Sequence, residues 1–337
     1  MIIPSDAFCY TSSMLIEDRI YGDINVEKNI IAKLIMSAPL QRLKKISQDG
    51  ATHYFEPKFN VDRFEHSVGA WYLSKRFNRP IEEQIACLIH DIPHTAFSHV
   101  VDFVVGDDSQ EFHDKFLEEI VYQSEIPKIC EAFNVDIKKI LDKSSFPLLD
   151  NQTPELSFDR WDYFMRDAHM MGIMSNKLIA DIINSAKLLN TDFYFDNAFL
   201  ASQFCISTIM VAKLGYVSAN SHGAYLLLAD ILKTSLEKNY ITQQDLFTTD
   251  DEVLAKINKC NDDNISQLLN RLSPEKPFMY ADKDSAEYYG KNKARYIDPY
   301  VMKDKKLIPV SKIVVGLESF ILGFKADCEY IGVKQQI

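Results

Sequence analysis

The sequence lacks the cysteine pattern of a disulfide framework or a zinc finger. Its six cysteines are scattered along 337 residues, and no two of them form a CxxC pair. We therefore expect reduced, packed thiols, as is usual in a cytoplasm. The positions concerned are Cys9, Cys87, Cys130, Cys205, Cys260 and Cys328.

Long apolar runs and a secretory leader are also missing. No stretch of about 18 uncharged apolar residues occurs, which argues against a transmembrane helix. The first 19 residues have neither a basic start nor a sustained apolar stretch, so we expect no secretory signal. Together these absences predict a cytoplasmic protein that does not associate with a membrane.

Positive charge is scarce in this chain. The formal net charge is -11, and no block rich in lysine and arginine stands out. Proteins that bind duplex nucleic acid gain affinity by neutralising phosphates, so the overall charge opposes that kind of binding. A small anion would need a local cationic site instead.

The apolar residues recur at helical spacing through most of the first 240 residues. Residues 305–333 differ, because they are rich in β-branched and aromatic residues and favour short strands. We predict a mainly α protein, with a helical domain over residues 1–270 and a small α+β region over residues 271–337. The helices are expected at residues 26–36, 64–77, 81–92, 112–122, 136–142, 158–171 and 202–236, the last with a break around 215–223.

Histidine is concentrated in one part of the chain. Five of the eight histidines fall between residues 66 and 113. A single histidine on an apolar helix face is usually a packed core residue, but burying many titratable groups without a partner or a metal is costly. Two imidazoles and two carboxylates suit first-row divalent metals better than calcium. We predict a metal site formed by His66, His90, Asp91 and Asp159.

The same residues carry a resemblance to a known family. An adjacent His-Asp pair, with histidines and carboxylates before and after it, resembles the motifs of HD-domain phosphohydrolases in order and approximate spacing. Within that superfamily the chain is most similar to the deoxynucleoside triphosphate triphosphohydrolase branch and its uncharacterised bacterial relatives. The matching segments are DRIYGDI (18–24), APLQRLKKISQDG (38–50), RFEHSVG (63–69), HDIPHTAFSHVVD (90–102), EFHDKF (111–116), FDRWDYFMRD (158–167) and KARYIDPYV (293–301).

This resemblance implies an HD-domain helical bundle that holds a divalent metal, namely Mn, Fe, Co, Ni, Zn or Mg. The bound metal would polarise a phosphoryl oxygen and activate a water for attack on phosphorus. The resemblance also implies an acid/base network, in which a carboxylate orients one imidazole and a protonated imidazole serves the leaving group. The matching positions are His94, His99, Asp102 and His113.

A further set of positions matches the family's substrate contacts. Arginine suits bidentate contact with phosphate, and three arginines fall where the family holds phosphates or supports the metal ligands. Gln48, Tyr163 and Asp167 match positions that hold a deoxyribose hydroxyl. The full set is Gln48, Asp49, Arg63, Arg160, Tyr163, Arg166, Asp167 and His222.

The chain departs from the family pattern at four places. Pro93 stands where glycine is usual and predicts a helix break before His94. Asp49 stands where the branch has an apolar residue, Arg160 stands where it has lysine, and the basic and tyrosine residues expected before His222 are replaced by residues 218–221. These changes weaken the case for a triphosphate and leave a shorter phosphate ester open.

Other interpretations remain open at this point. His113 could face solvent in a charged loop, and Tyr163 with Asp167 could belong to a core helix with one buried salt bridge. For function, the first hypothesis is hydrolysis of a nucleotide, including a (deoxy)nucleoside triphosphate. The alternatives are an HD-type phosphomonoesterase or cyclic phosphodiesterase, and a nucleotide-binding regulatory module with slow turnover. The apolar segment 313–322 could be the buried face of a sheet or a surface for homo-oligomerisation, which is common among relatives.

Overall fold

The computed structural model describes residues 13–107 and 112–336. The predictions for Cys9, for the absence of a leader and for Glu111 lie outside these residues. The described chain is mainly helical, which confirms the predicted fold class. Its α-helices are α1 Ile30–Ile35, α2 Ala38–Arg42, α3 Arg63–Arg76, α4 Ile81–Ile89, α5 Val100–Val105, α6 Leu117–Gln123, α7 Ile126–Ala132, α8 Ile137–Leu141, α9 Phe158–Met170, α10 Asn176–Ser185, α11 Ala198–Val211, α12 Ala219–Glu237, α13 Asp250–Asn258, α14 Asp263–Leu269 and α15 Leu317–Cys328.

Three small sheets accompany the helices in the described part of the chain. An N-terminal antiparallel hairpin is followed by a four-stranded sheet of order β3-β4-β7-β8 and a three-stranded sheet of order β5-β9-β6. All pairs are antiparallel except β4 with β7, where Tyr194 lies opposite Tyr300. The strands are β1 Met14–Asp18, β2 Gly22–Val26, β3 Ala186–Leu189, β4 Asp192–Phe195, β5 Phe278–Tyr280, β6 Tyr288–Lys291, β7 Tyr300–Lys303, β8 Lys306–Pro309 and β9 Tyr330–Gln335.

Helix α3 lies at the centre, in contact with both α4 and α9. The residue before it, Asp62, is its N-cap. The Asp62 carboxylate accepts a hydrogen bond from the Glu65 amide at 2.8 Å, the usual way to satisfy a free N–H at a helix start. Gly69 allows the close crossing with α9. A β-carbon at that position would lie 1.8 Å from Oδ1 of Asp162, so no larger residue fits without a shift. Fully buried Trp71 and Trp161 fill the core beside this crossing.

Most of the predicted helices are present, with bounds that differ by a few residues. Helix α4 ends at Ile89, so the expected break before His94 is confirmed. The break expected around 215–223 is confirmed as a π-helical turn, Ala212–Tyr216, followed by the start of α12. Among the described cysteines, Cys87, Cys130, Cys205 and Cys328 are buried free thiols and Cys260 is partly exposed.

Two local predictions were wrong, the second in part. Strands β3 and β4 interrupt the region expected to be helical. Within residues 305–333, β8 and β9 confirm the expected strands, but α15 lies between them where further strands were expected. In α15 the buried residues are Leu317, Ile321, Phe324 and Cys328, a helical spacing that the many β-branched and aromatic residues obscured. Val315, Phe320 and Leu322 are exposed. Self-association through this segment stays a prediction.

The segment after residue 270 packs against the rest of the chain. Strands β5 and β9 contact α12, and β7 extends the sheet that β3 and β4 begin. Its buried residues, including Phe278, Ile297 and Val301, belong to the same apolar cluster as the helical core. The division into regions 1–270 and 271–337 stays a prediction.

One segment of the described chain is long and apolar enough to cross a membrane by length and composition alone. It is Ala198–Tyr216, and 56% of its most apolar window is buried inside the protein. That degree of burial is what a core helix shows.

Candidate metal centre and catalytic cavity

Three helices bring four potential metal ligands to one point. His66 lies near the start of α3, as its fourth residue, and His90 directly follows the last residue of α4. Asp91 comes next in the chain, while Asp159 lies in the first turn of α9. Helix α9 begins at Ser157, whose hydroxyl accepts a hydrogen bond from the Arg160 amide. The four predicted ligands therefore depend on packing of α3 against α4 and α9.

The ligand atoms are spaced like the corners of a coordination polyhedron. Nε2 of His66 is 3.3 Å from Nε2 of His90 and 3.0 Å from Oδ1 of Asp159. Nε2 of His90 is 3.3 Å from Oδ1 of Asp91 and 3.5 Å from Oδ1 of Asp159. Ligands bound at about 2.0–2.2 Å in tetrahedral or octahedral geometry lie about 3 to 3.5 Å apart. These donors therefore fit a first-row divalent ion without rearrangement.

Both imidazoles have their outer nitrogen engaged. Nδ1 of His66 donates to Oδ2 of Asp162 at 2.9 Å, and Nδ1 of His90 donates to the Cys87 carbonyl at 2.8 Å. Each bond fixes the ring and leaves the Nε2 lone pair facing the centre, which is the usual outer support of a metal-binding histidine.

The pKa shifts of the candidate ligands also indicate that a cation is stabilised at the centre. Burial lowers the pKa of His66, but the carboxylates of Asp159 and Asp162 outweigh it and raise this pKa to about 10. Burial opposes ionisation of Asp159 as well, yet hydrogen bonds with His66 and His90 hold its pKa below the usual value. A bound metal would take the place of the proton that this cluster otherwise retains.

Asp162 was not among the predicted site residues, although it anchors the centre. Besides His66, it accepts hydrogen bonds from Tyr21 Oη at 2.7 Å and from Arg166 Nε at 2.7 Å. Its position three residues after Asp159, on the helix face that meets α3, is the signal that could have identified it.

Asp162→Asn is expected to lower metal affinity by about 10- to 100-fold, the usual effect of losing an outer-shell partner. The amide keeps the shape of the side chain but removes the charge that orients His66. Metal titration with a competing chelator measures the change. Asp181→Asn, in an exposed ion pair with Lys177, is the matched control. Equal affinities in wild type and Asp162→Asn would show that His66 does not depend on this carboxylate.

Two of the predicted arginines support the candidate ligands. Arg63 is almost completely buried and donates to Oδ2 of Asp91 at 2.6 Å and to Ser98 Oγ at 2.8 Å, so it orients a candidate ligand at the cavity wall. Arg166 is fully buried, bonded to Asp162 and to Asp18, and is not among the residues that line the cavity. Arg166 therefore has the second of the two roles that the resemblance implied, support of the ligands, and its contact with a substrate stays a prediction. Its spacing of four residues from Asp162 on one helix favours the ion pair.

The four predicted acid/base residues lie beside the metal centre. His99 Nδ1 is 2.8 Å from Asp102 Oδ2. The rings of His94 and His113 stack with centroids 3.6 Å apart, and His94 Nε2 is 3.4 Å from Oδ1 of Asp91. The side chain of His113 is only 11% exposed, so the alternative of a solvent-facing residue is wrong. The network thus runs directly to Oδ1 of Asp91, the oxygen that also lies 3.3 Å from Nε2 of His90.

These imidazoles are held in the neutral form. Burial lowers the pKa of His94 and of His99 well below the usual value, with further lowering by Arg63 for the first and Arg295 for the second. Burial and His99 lower the pKa of His113 to about 4. Burial also raises the pKa of Asp102 to about 6. An anion that enters the cavity would raise the pKa of these imidazoles. We therefore expect the imidazole that protonates the leaving group to become protonated when a phosphate binds.

The centre opens into a cavity of about 290 Å³. The predicted residues Gln48, Asp49, Arg160, Tyr163, Asp167 and His222 all line it, together with Arg63. The placement of Tyr163 and Asp167 in the cavity wall differs from the alternative of a core salt bridge. Residues that the sequence did not single out also line it, namely Lys143, Asp150, Tyr216, Tyr225, Lys293 and Arg295.

Arg295 links the C-terminal segment to this cavity. Its side chain is hydrogen-bonded to that of Tyr163, and it lowers the pKa of His99. Arg295 belongs to the segment 293–301 that resembles the family's late motif, and this membership was the available signal. Lys143, Arg160 and Lys293 add positive charge to the same cavity, which supplies the local cationic site that the net charge required.

Two charged side chains form hydrogen bonds with the backbone of the loops that carry the cavity residues. Arg42 donates to the carbonyls of Ile92 and His94 at 2.6 and 2.8 Å. Asp250 accepts from the amides of Ser47 and Phe97 at 2.9 and 2.7 Å. These bonds fix the turn after His90–Asp91 and the loop that contains residues 48 and 49.

The neutral state of His222 predicts a pH dependence of stability. Burial lowers its pKa to about 4, below the unfolded value of about 6.5. As the pH falls below about 6.5 the unfolded chain binds a proton that the folded chain does not, so the free energy of unfolding decreases. Between pH 7.5 and 5 the loss from this group is about 2 kcal/mol.

His222→Gln should remove that part of the loss. Urea unfolding of both proteins at the two pH values tests the prediction, because contributions from other groups cancel in the difference. The same loss of stability in variant and wild type would show that His222 is not buried in the neutral form.

Comparison with known proteins gives the following matches. The HD domain family model matches residues 63–164. The uncharacterized protein YdhJ of Bacillus subtilis is 34% identical over 303 residues, covering 89% of this chain and 92% of that protein. The metal-dependent phosphohydrolase cns2 of Cordyceps militaris is 33% identical over 177 residues, covering 52% and 51% of the two chains.

More distant matches point the same way. Human deoxynucleoside triphosphate triphosphohydrolase SAMHD1 is 27% identical over 229 residues, covering 53% of this chain and 36% of that protein. The solved structure of a phosphohydrolase from Bacteroides thetaiotaomicron superposes with a TM-score of 0.69 at 18% identity, covering 95% of this chain and 99% of that one. This last similarity concerns the fold alone.

Proposed function

Because this chain belongs to the HD-domain family and is a metal-dependent phosphohydrolase, we propose that its substrate is a nucleotide and that His66, His90, Asp91 and Asp159 are the metal ligands. The observation that carries the assignment of ligands is that Nε2 of His66 and Nε2 of His90 lie 3.3 Å apart and that each lies 3.0 to 3.6 Å from a carboxylate oxygen of both Asp91 and Asp159. A divalent ion held there supplies Lewis acidity, polarising a phosphoryl oxygen and acidifying a water.

The side chains around the centre divide the remaining tasks. Arg160, Lys143, Lys293 and Arg295 line the cavity and would neutralise phosphate oxygens, which supports an anionic substrate. Arg63 keeps Asp91 ionised and in place: burial alone would raise the pKa of Asp91, but Arg63 and His90 hold it well below the usual range. His113, stacked on His94, is the proposed donor of a proton to the departing oxygen.

His94 and His99 have positioning roles in this proposal. His94 lies between Asp91 and the His113 ring, so it fixes the position of the proton donor relative to the metal centre. His99 is oriented by Asp102, and its neutral ring faces His113 at a centroid distance of 5.6 Å.

A nucleotide is favoured over a simple phosphomonoester because aromatic and apolar side chains line the cavity together with the cationic ones. Tyr216, Tyr225, Phe103 and Val217 are among them, and apolar and aromatic walls with a few polar groups are typical of sites for organic ligands. The relation to triphosphohydrolases named for deoxynucleotides supports the same substrate class. The number of phosphates and the type of sugar are separate questions.

The test is a metal and substrate screen. Purified protein is stripped with chelator, reloaded separately with Mn, Fe, Co, Ni, Zn or Mg, and assayed against nucleoside mono-, di- and triphosphates, cyclic nucleotides and a general phosphomonoester. We expect metal-dependent hydrolysis of at least one nucleotide, and the released phosphate species identifies the bond that is cut. Hydrolysis of the phosphomonoester or a cyclic nucleotide alone would favour the corresponding alternative, and tight nucleotide binding without turnover would favour a regulatory module.

The remaining expectations follow from charge and surface. The net charge of -11 supports a small-molecule substrate rather than duplex nucleic acid. A cytoplasmic location and homo-oligomerisation are part of the same proposal and are tested by fractionation and by light scattering.

A further inference from the structure

Several buried acceptor atoms in the cavity have no hydrogen-bond partner among residues 13–107 and 112–336. They are Gln48 Oε1, Asp49 Oδ2 and Asp167 Oδ1, and His222 Nε2 is also unpartnered. All four residues line the same cavity. Asp49 is 6% exposed and Asp167 is 1% exposed. Buried polar atoms are almost always paired in native proteins, so a group of unpaired ones indicates a missing partner.

Two donors close to these acceptors are already used. Tyr216 donates its hydroxyl to Oδ2 of Asp167, which leaves Oδ1 free. Arg63, which is close enough to lower the pKa of Asp49, directs its guanidinium to Asp91 and Ser98. His222 is hydrogen-bonded to the backbone of Ile331 and is neutral, so its free Nε2 is an acceptor. The missing partner must therefore bring donors with it.

The oxygen atoms of these groups disfavour one kind of ligand atom. Burial and the neighbouring Asp49 raise the pKa of Asp167 well above its usual value, and burial raises the pKa of Asp49 to about 7, so the pair retains a proton near neutral pH. The remaining acceptor oxygens, with that of Gln48, would still repel the oxygens of a phosphate. The phosphates belong with the cationic residues and the metal ligands. The acceptor cluster, defined as Gln48, Asp49 and Asp167, suits a neutral group with several hydroxyl donors.

We infer that the acceptor cluster binds the two adjacent hydroxyls of a ribose, so that this enzyme prefers ribonucleotides to 2′-deoxynucleotides. Two carboxyl groups match two neighbouring hydroxyls, one acceptor for each, while the glutamine oxygen can accept a second bond from either. This inference rests on the proposed function, because it assumes that a nucleotide occupies the cavity. Asp49 is then the specificity-determining residue that the sequence marked as unusual for its family.

Removal of one hydroxyl from the substrate should be costly. A site built to bind a hydroxyl leaves buried polar groups unpaired when the analogue lacks it, so the analogue is bound and processed less well. With metal-loaded wild type, we expect kcat/KM for adenosine and guanosine nucleotides to exceed that of the matched 2′-deoxy forms by about 10- to 100-fold. The phosphate chain length used is the one most active in the screen.

Asp49→Leu should reverse this preference. The variant loses the acceptor, so activity toward the ribonucleotide should fall about 10- to 100-fold while activity toward the 2′-deoxynucleotide changes little or rises. Asp49→Asn keeps the shape and one acceptor oxygen and should lie between wild type and Asp49→Leu. Asp327→Asn, in an exposed ion pair with Lys213, makes the same charge change away from the cavity and should behave as wild type.

Binding provides a readout that does not need turnover. Calorimetric titration of adenosine and of 2′-deoxyadenosine into metal-free protein compares the two sugars directly. Asp49→Asn should reduce the difference in affinity between the two nucleosides. Because this variant is isosteric, the test remains possible even if Asp49→Leu fails to fold. Equal hydrolysis of the two sugar forms by wild type, or an unchanged ratio in both Asp49 variants, would overturn the inference and leave the proposed function standing. If no nucleotide is hydrolysed, the proposed function fails, and equal or absent nucleoside binding then overturns this inference as well.

Discussion

Asp91→Ala protein should contain no bound metal after reconstitution and should hydrolyse substrate at the background rate. The side chain contributes one of four ligands, and its other oxygen accepts from Arg63 at 2.6 Å. Loss of the carboxylate removes a ligand and leaves a buried guanidinium without its ion-pair partner. We therefore expect a folded helical protein that is less stable by about 3 to 5 kcal/mol.

His90→Ala separates the two effects. Its ring bonds only the Cys87 carbonyl on the outer side, so the substitution should remove metal and activity without the additional loss of stability. Elemental analysis measures metal per chain, circular dichroism checks the helices and urea unfolding measures stability. Full metal occupancy in Asp91→Ala would exclude this residue as a ligand and with it the assignment of the centre.

His113→Ala should keep its metal but lose about 10²- to 10⁴-fold in kcat, the usual range for a positioned proton donor. His113 stacks on His94 and is not one of the four proposed ligands, so the centre itself should survive. The loss should be smaller for a substrate with a good leaving group, because such a group needs less help from an acid. Steady-state assays with matched good and poor leaving groups measure this difference.

Lys115→Ala is the matched control for this experiment, because Lys115 lies two residues away and is largely exposed. It should retain wild-type activity. Wild-type turnover by a metal-replete His113→Ala protein would move the proton-donor role to His94, whose Nδ1 is buried without a partner. An equal loss with both leaving groups would indicate a structural role for His113.

The sequence predicted the residues of the centre better than their surroundings. His66, His90, Asp91 and Asp159 are chemically conspicuous, and the helices that carry them have clear apolar periodicity, so their proximity could be expected. Asp162 and Arg166 lie beside the centre but were harder to place. An arginine four residues after an aspartate can face a substrate or a buried carboxylate, depending on which helix packs against its own. Here α3 packs closely against α9 because Gly69 has no side chain.

Long-range pairing explains the other misses. Arg295 reaches the cavity only because the C-terminal segment returns to the helical core, and apart from the resemblance of residues 293–301 to a family motif no local pattern reveals this. Strands β3 and β4 need β7 as a partner to form a four-stranded sheet, so their own short sequences gave little signal. Phe97 and Ser98 have positive φ values of 59° and 53°, an uncommon conformation for such residues. Their loop is held by Asp250 and Arg63, far away in sequence.

The return of the C-terminal segment also affects the order in which this protein can be built during synthesis. The proposed ligands are complete once Asp159 has left the ribosome, but Arg295 and the parallel partner of β4 follow more than a hundred residues later, on the order of ten seconds at ordinary translation rates. During that interval the nascent chain would present an open, acidic cluster of ligands without its full cavity wall. We expect the metal-binding helices to assemble first and substrate selectivity to be acquired only as the last strands join.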